Sequence, residues 1–252
     1  MTDLSGHVAL VTGSSRGIGA AVAERFAAAG AAVVVHGRDA ERAEHVRGRI
    51  ADAGGTALVA TADLTRFDEI EAMRSVAEGE FGWVDIVVAN AGGSPVKPGP
   101  LEEMTEQDFR AAVDVNLVAT FLTLKSFLPG MKQRGRGTIV TMSSAAARRP
   151  DARSPVAYAA AKAGVELLTR DLAAQAGPFG VRVNCLAPET VLTERNLERI
   201  PVAMQDQMAA AHPIRRLGTP RDVADAALFL AGPDSGWITG VVLDVAGGAV
   251  LA

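Results

Sequence analysis

The chain has 252 residues, of which 48% are hydrophobic and 21% charged, and its formal net charge at pH 7 is −4. This balance is typical of a globular domain with enough apolar material for a buried core. The basic residues are scattered rather than clustered, which argues against a nucleic-acid partner. A single cysteine, Cys185, excludes an internal disulfide and indicates a reducing compartment.

The first residues, MTDLSGHVALVTG, contain neither a basic n-region nor a long apolar segment, so we expect no signal peptide. The sequence also lacks runs of about 18 uncharged apolar residues, so we expect no membrane contact. A cytoplasmic location is the resulting expectation.

Short β-branched runs alternate with longer helical patterns along the whole chain. The runs that predict buried strands are 7–11, 32–36, 56–60, 84–89, 138–142, 181–186 and 241–245. The patterns that predict helices are 17–29, 39–53, 66–80, 105–129, 156–175 and 221–231. Such alternation predicts an α/β fold with a doubly wound parallel sheet covered by helices on both faces. No linker or repeat divides the chain, so residues 1–252 are expected to form one domain.

A glycine-rich turn, GSSRGIG, follows the first predicted strand and contains Gly13, Gly17 and Gly19. Glycine allows backbone angles closed to other residues and lets a phosphate approach closely. The helix that begins near Gly17 would point its free N–H groups at a pyrophosphate. A tight turn without a ligand is the alternative, but the position directly after a first strand favours dinucleotide binding.

The end of the second predicted strand, VVVHGRD, bears on the choice of cofactor. Gly37 stands where an acid often accepts hydrogen bonds from a free ribose hydroxyl, and Arg38 follows it. Arg38 and Arg16 could together hold a 2′-phosphate through charge-assisted hydrogen bonds, although each could instead be a solvated surface group. Asp39 argues for caution unless it caps the next helix. The pair of arginines favours NADP(H) over NAD(H).

The only tyrosine, Tyr158, lies four residues before Lys162 in a predicted helix, so both side chains emerge on one face. A neighbouring ammonium group would stabilise the phenolate and lower the tyrosine pKa, which favours proton transfer. The alternative is an exposed amphipathic helix. Ser143 and Ser144 end the fifth predicted strand, where a hydroxyl could hydrogen-bond a substrate oxygen. No His/Cys cluster has ligand spacing, so no metal is expected.

Eight segments match the signatures of one family, in family order. They are TGSSRGIG (12–19), Asp63 after the third strand, NAG (90–92), VNL (115–117), the SS pair, YAAAK (158–162), VRVNCLAP (181–188) and the terminal ITGVVLDVAGG. With these segments the sequence resembles the classical short-chain dehydrogenases/reductases over nearly its whole length. It is most similar to their 3-oxoacyl-acyl-carrier-protein reductase branch. The resemblance implies a single-domain Rossmann-type fold with a seven-stranded parallel sheet.

The resemblance also implies roles for individual residues. Tyr158 would be the catalytic acid/base, and Lys162 would lower its pKa and hold the nicotinamide ribose. Ser144 would orient the substrate carbonyl, and Asn116, at a kink in the long fourth helix, would hold a water that links Lys162 to solvent. The cofactor contacts implied are Gly13, Ser15, Arg16, Gly17, Ile18, Gly19, Arg38, Asp63, Leu64, Asn90, Ala91, Gly92, Tyr158, Lys162, Pro188 and Thr193.

The sequence departs from the family pattern at three places. Glu189 replaces a usual glycine, and could favour a polar or cationic substrate or merely face solvent. Ala89 replaces a usual asparagine. The spacing from the serine to Tyr158 is one residue longer than is common; counting forward from the fifth strand favours Ser144 over Ser143.

The resemblance further implies that a segment at about 189–212 forms a lid over the substrate. Arg148, Arg149 and Arg153 lie near the expected cleft mouth and could receive a phosphate or carboxylate of the substrate, or be solvated. Arg134 lies near the position of a carrier-docking arginine, but a second one has no clear counterpart. Docking of a carrier protein is therefore doubtful.

Three functions remain open from the sequence. The first is an NADPH-dependent reductase of a small-molecule ketone, with a carrier-bound 3-oxoacyl thioester as one candidate substrate. The second is an NAD-dependent alcohol dehydrogenase that works oxidatively, and the third is a non-catalytic dinucleotide-sensing protein. The resemblance implies association through the fourth and fifth helices into tetramers. Small residues in the helix at 156–175 allow such close packing, so we expect a homotetramer.

Overall fold

A computed structural model describes residues 2–151 and 154–251 of the chain. Seven parallel strands form one sheet in the order β3-β2-β1-β4-β5-β6-β7. The strands are β1 (Val8–Val11), β2 (Ala32–His36), β3 (Thr56–Ala60), β4 (Ile86–Ala89), β5 (Gly137–Met142), β6 (Val181–Pro188) and β7 (Val242–Val245). The strand order reverses between β1 and β4, and this switch point is where such sheets bind ligands.

Ten α-helices connect and follow the strands in the described part of the chain. They are α1 (Gly17–Ala27), α2 (Ala40–Asp52), α3 (Phe67–Phe81), α4 (Glu106–Val113), α5 (Ala119–Arg134), α6 (Ala145–Arg148), α7 (Val156–Ala176), α8 (Glu194–Arg199), α9 (Val202–Ala211) and α10 (Pro220–Ala231). A π-helical turn, Asp114–Val118, joins α4 to α5. Short 3₁₀ turns lie at Leu101–Glu103, Gly177–Phe179 and Pro233–Ser235.

Apolar layers cover both faces of the sheet. In β1, Ala9 and Val11 belong to the layer that includes Phe26 of α1 and Leu228 of α10. Leu10 points to the opposite layer, which is built with α3, α5 and α7. Successive side chains of a strand face opposite ways, so a strand covered on both sides must be apolar throughout. This explains why the strands could be recognised as continuous apolar runs.

All seven predicted strands are confirmed, with β4 shorter at its start and β6 longer at its end than expected. The predicted long helix at 105–129 is instead interrupted by the π-helical turn and continues to Arg134. The helical stretch Glu106–Arg134 is long and apolar enough, by length and composition, to cross a membrane. Its residues Leu124, Phe127 and Met131 pack in the core against the sheet, as in the core helix of a globular domain.

Candidate active site

A cleft of about 620 Å³ opens at the carboxyl ends of the strands, around the switch point between β1 and β4. With one exception, every residue predicted for the catalytic and cofactor sites lines it. The exception is Asn116, which is fully buried beside it. The cleft also contains residues that the sequence reasoning missed, among them Gly93 and Arg195.

The glycine turn forms one wall of this cleft. Gly13 and Gly17 have φ angles of +65° and +56°, a region that favours glycine. Helix α1 begins at Gly17 without a side-chain cap and without an acidic residue in its first turn. Its first N–H groups are therefore free for an anion, and the helix dipole favours negative charge there. This wall fits the diphosphate of a dinucleotide.

Gly19 is required by close packing rather than by its backbone angle. A Cβ atom at this position would overlap the carbonyl oxygen of Gly13. The Asn90 side chain holds the same turn, since its amide donates to Thr12 O at 2.9 Å and to Gly13 O at 3.2 Å. Asn90, which the resemblance gave as a cofactor contact, therefore also stabilises the glycine turn.

We expect Gly19→Ala to destabilise the protein by about 2 kcal/mol or more, because a methyl group is forced against backbone that cannot move freely. Gly48→Ala in α2 is the matched control, since a Cβ atom there meets nothing within 4 Å. That change should stabilise the protein by about 0.5–1 kcal/mol, as alanine does in helix interiors. Denaturant unfolding measures both. Equal effects of the two substitutions would contradict the packing argument.

His36, at the end of β2, was missed by the sequence reasoning although it directly precedes Gly37 and Arg38. Its Nδ1 accepts the Gly13 N–H at 3.0 Å, and its Nε2 lies 3.1 Å from Ala62 O. A carbonyl can only accept, so Nε2 donates and the imidazole is neutral. Burial lowers the pKa of His36, which agrees with this state. The buried ring fixes the first glycine of the turn.

The polar ends of β2 and β3 complete the adenosine side of the cleft. Asp39 caps α2, because its carboxylate accepts the Arg42 N–H at 3.1 Å. The carboxylate of Asp63 accepts from the Thr65 N–H and hydroxyl, and these bonds lower its pKa. Arg38 is exposed and has no ion pair or hydrogen bond with the described residues. Asp39, the acid that argued for caution about NADP(H), therefore serves as the N-cap of α2.

Tyr158 and Lys162 line the other end of the cleft from successive turns of α7. Ser144 caps α6, and its oxygen accepts the Ala146 N–H at 3.2 Å, which leaves the hydroxyl proton free to donate. The Ser144 hydroxyl interacts with the Tyr158 phenol, and this interaction opposes the effect of burial on the phenol pKa. The structure therefore brings Ser144, rather than Ser143, to the tyrosine.

Burial shifts the pKa of both members of the pair. Burial dominates at Tyr158 and raises its pKa above the ordinary value. Lys162 is fully buried, and burial lowers its pKa to about 8. Its Nζ donates to Met142 O at 2.7 Å and lies 5.8 Å from the centre of the tyrosine ring. Burial thus opposes the lowering of the Tyr158 pKa that the Tyr–Lys pair predicts, and that lowering stays a prediction.

Asn116 lies in the π-helical turn, where the sequence predicted a kink. Its side-chain amide donates to Gly93 O and Ala112 O, both at 2.8 Å, and its Oδ1 accepts the Gly93 N–H at 3.0 Å. A Cβ atom on Gly92 would lie 2.6 Å from Asn116 Oδ1 and 3.2 Å from Lys162 Nζ. The hydrogen bonds of Asn116 therefore hold the loop after β4 close to Lys162. Its role in holding a water stays a prediction.

Comparisons with known proteins agree with this geometry. A family model described as enoyl-(acyl carrier protein) reductase matches residues 13–250. The 7alpha-hydroxysteroid dehydrogenase of Escherichia coli (strain K12) is 39% identical over 247 residues, which cover 98% of this chain and 95% of that enzyme. The chain belongs to the short-chain dehydrogenase/reductase family. It is therefore an oxidoreductase by family, as the sequence resemblance implied.

Two solved members of the family show the same fold. A 7 alpha-hydroxysteroid dehydrogenase complexed with NADH and 7-oxo glycochenodeoxycholic acid has a TM-score of 0.93 at 38% identity, over 99% of this chain and 96% of that one. A gluconate 5-dehydrogenase from Burkholderia cenocepacia J2315, in complex with NADP and tartrate, has a TM-score of 0.92 at 33% identity, over 99% and 97%. The predicted doubly wound fold is confirmed.

Behind the cleft of this dehydrogenase/reductase lies a buried charged network that the sequence reasoning missed. The Ser143 hydroxyl donates to Glu166 Oε1 at 2.8 Å, and Glu166 is only 6% exposed. Arg148 pairs with Glu166 at 3.3 Å and with Asp244 at 3.1 Å. Arg148 is therefore held by two carboxylates and is not a free receptor for a substrate phosphate. Glu166 lies four residues after Lys162 in α7, which is the only sequence signal for this network.

Glu189, the residue that departs from the family pattern, does not face solvent. Its side chain is 12% exposed, and its carboxylate lies 3.0 Å from His212 Nε2 and 3.7 Å from Arg149. The segment 189–212 contains α8 and α9, and this contact joins its first residue to its last. The His212 imidazole and the Arg149 guanidinium group already contact the carboxylate, so the structure gives no support to a cationic substrate. Arg153 lies outside the described residues.

Proposed function

We propose that the chain is an NADP(H)-dependent oxidoreductase that interconverts a ketone and a secondary alcohol. The observation that carries the proposal is the meeting of Ser144, Tyr158 and Lys162 in the same cleft as the uncapped start of α1. A bound nicotinamide would supply the hydride for reduction or accept it in oxidation. The remaining chemistry is proton transfer and positioning, and it falls to side chains of this chain.

During reduction, the substrate carbonyl oxygen lies between Ser144 and Tyr158. The Ser144 hydroxyl donates a hydrogen bond to that oxygen and stabilises the negative charge that develops on it. The Tyr158 phenol then gives its proton to the oxygen, and the buried Lys162 ammonium stabilises the resulting phenolate. Oxidation reverses these steps, with the phenolate as the base. Asn116 keeps the loop at Gly93 in place beside the lysine.

Several features favour NADP(H) over NAD(H). Arg16 and Arg38 line the cleft without partners among the described residues, so both guanidinium groups are free for a 2′-phosphate. An acid cannot readily replace Gly37, because a Cβ atom there would lie 2.9 Å from Ser15 Cβ. The relatives do not decide the question, since one solved structure contains NADH and another NADP.

The Arg38→Gln variant tests this preference. We expect its Kd for NADPH to rise about 10-fold or more while its Kd for NADH stays nearly constant, because only NADPH carries the 2′-phosphate that the guanidinium would bind. Arg42→Gln is the matched control, since Arg42 is exposed but is already paired with Asp39 at 3.1 Å. Fluorescence titration measures both affinities. An unchanged ratio of the two Kd values in Arg38→Gln would count against the phosphate clamp.

The substrate is proposed to be a small molecule that no carrier protein presents. Arg134, the candidate docking residue, donates to Val84 O at 2.6 Å and stacks 5.5 Å from the centre of the Trp83 ring. Arg148 is held by Glu166 and Asp244, as described above. The relatives do not decide the question, since they include a hydroxysteroid dehydrogenase and a gluconate dehydrogenase as well as a 3-oxoacyl-[acyl-carrier protein] reductase.

A panel of ketones, 3-oxoacyl thioesters and secondary alcohols, followed at the NADPH absorbance and repeated with NAD(H), tests the function as a whole. Reduction of a ketone with NADPH supports it. Oxidation of an alcohol with NAD alone favours the oxidative dehydrogenase instead. Nucleotide binding without any turnover would favour a sensing protein, and absence of binding would refute the proposal.

The assembly we propose is a homotetramer. Phe109 on α4, Phe121 on α5 and Leu167 on α7 are large apolar side chains that are 42%, 47% and 58% exposed. They belong to the helices through which relatives are expected to pack, and exposed apolar patches of this kind mark protein–protein contacts. Sedimentation velocity would give the mass of four chains if the proposal holds, and of one chain if these side chains stay in solvent.

A further inference from the structure

Most of the described arginines of this protein are paired with carboxylates or carbonyl groups. Within residues 2–151 and 154–251, four arginine side chains have neither an ion pair nor a hydrogen bond: Arg16, Arg38, Arg195 and Arg199. The first three line the cleft. Arg16 and Arg38 belong to the wall that the sequence analysis assigned to the cofactor, but Arg195 belongs to the lid. Its free charge has no role in the site as described above.

Arg195 lies in α8, close to the glycine turn. Thr193, two residues earlier, has its Cγ2 atom 3.2 Å from the point where a Cβ atom of Gly17 would stand. The start of the lid is therefore seated on the first turn of α1. Arg195 itself is partly buried, and its Nη1 lies 3.9 Å from the corresponding Cβ point on Gly93. The guanidinium group thus lines the cleft near the loop after β4.

The charges around Arg195 are mainly of its own sign. Burial, Arg199 and Arg16 all lower its pKa, and no carboxylate raises it. Glu194 also lies near this turn, with Oε2 3.8 Å from the Cβ point of Gly17, but within the described residues it forms no ion pair with Arg195. Two guanidinium groups that face one cleft repel each other unless an anion lies between them. The free N–H groups of α1 point into the same space and favour the same anion.

We propose that Arg195 binds the diphosphate of the dinucleotide from the lid side and so couples closure of the segment 189–212 to cofactor binding. This inference rests on the proposed function, and it adds a lid residue to the cofactor site. A diphosphate is chosen over an anionic group of the substrate because the lid touches the glycine turn at Thr193 and Gly17. The α1 N-terminus and Arg195 then hold the diphosphate between them.

The test compares Arg195→Gln and Arg195→Lys with the wild type, and uses NADPH, NADH and ADP-ribose as ligands. ADP-ribose carries the diphosphate but neither the nicotinamide nor the 2′-phosphate. We expect Arg195→Gln to raise the Kd of all three by about 10-fold, and Arg195→Lys by about 3-fold, because a charge-assisted hydrogen bond is lost or weakened. Arg199→Gln is the matched control on the same helix, and should change each Kd by less than about 2-fold.

Amide hydrogen exchange provides a second test of the inference, and it does not depend on turnover. ADP-ribose should slow amide exchange in peptides from 189–212 in the wild type, and this protection should be lost in Arg195→Gln. Equal Kd values and equal protection in the two proteins would overturn the inference alone. If Arg195→Gln only raises the KM for a carboxylate-bearing ketone, the anion belongs to the substrate and the inference is wrong. If the wild type binds none of the three nucleotides, the proposed function itself fails.

Discussion

The Tyr158→Phe variant is expected to lose about 10³-fold in kcat while it folds and binds nucleotide as the wild type does. The substitution removes only the phenolic oxygen, and that oxygen is the group placed to give its proton to the substrate. Ser144 remains to hydrogen-bond the carbonyl, so a small residual rate should persist. Steady-state kinetics and a nucleotide titration on the same sample separate the loss of turnover from any loss of binding.

The pH dependence of the wild type follows from the direction of the Tyr158 pKa. Burial raises that pKa, so the phenol stays protonated at neutral pH and can act as an acid. Reduction is therefore expected to be fast at neutral pH. It should fall as pH rises, first through the Lys162 pKa of about 8, because the ammonium group stabilises the phenolate that forms, and then through the raised Tyr158 pKa. Oxidation needs the phenolate and should rise over the same range. The rates of reduction and of oxidation, each measured as a function of pH, test this expectation. The pH dependence of both rates should be lost in Tyr158→Phe.

Ser144→Ala is the comparison variant, because it removes the hydrogen bond to the same oxygen but not the proton donor. We expect its kcat to fall by about 10²-fold while the pH dependence of both rates is retained. Turnover of Tyr158→Phe within a few-fold of the wild type would show that another group transfers the proton.

The sequence could predict the fold and most of the cleft because both depend on local signals. Continuous apolar runs identify strands buried on both faces, and the turn GSSRGIG places Gly13 and Gly17 where positive φ angles are needed. The carboxyl ends of parallel strands meet at one edge, so residues that follow β1, β4 and β5 had to converge. This is why Asn90, Ser144 and the pair on α7 were found together.

Other features could not be predicted because they depend on the depth of burial or on contacts between distant segments. The spacing of Tyr158 and Lys162 gives a shared face but not the loss of hydration that dominates both pKa values. Glu166 meets Ser143, and Glu189 meets His212, only after the chain has folded. The lid residue Arg195 carries no motif, and its significance lies in the absence of a described partner.

Lys162→Met is expected to make the protein more stable and much less active. The ammonium group is fully buried, and within the described residues its hydrogen bond is the one to Met142 O at 2.7 Å. The drop of its pKa from 10.5 to about 8 corresponds to a cost of about 3 kcal/mol when the group is charged. Methionine fills the same space without that cost but forfeits a hydrogen bond worth about 1 kcal/mol. The expected net gain in the free energy of unfolding at pH 7 is about 2 kcal/mol.

The sign of this gain can be followed with pH. Below pH 8 the lysine is charged in both the folded and unfolded wild type, so the cost is fully present. Between about 8 and 10.5 the folded state releases its proton before the unfolded state does, so the wild type becomes more stable as pH rises. The advantage of Lys162→Met should therefore be greatest at neutral pH and disappear near pH 10.5. Urea unfolding at several pH values measures it.

Activity should change in the opposite direction, because the ammonium group is needed to stabilise the phenolate of Tyr158. We expect kcat/KM to fall by at least about 10²-fold. Lys97→Met is the control, since Lys97 is exposed and its loss should affect neither stability nor rate. If Lys162→Met is less stable than the wild type at pH 7, the buried charge is compensated by contacts beyond the Met142 carbonyl. If the variant is more stable but fully active, Lys162 is dispensable for proton transfer. If the variant is more stable and has lost activity, the buried charge of Lys162 destabilises the fold and is needed for function.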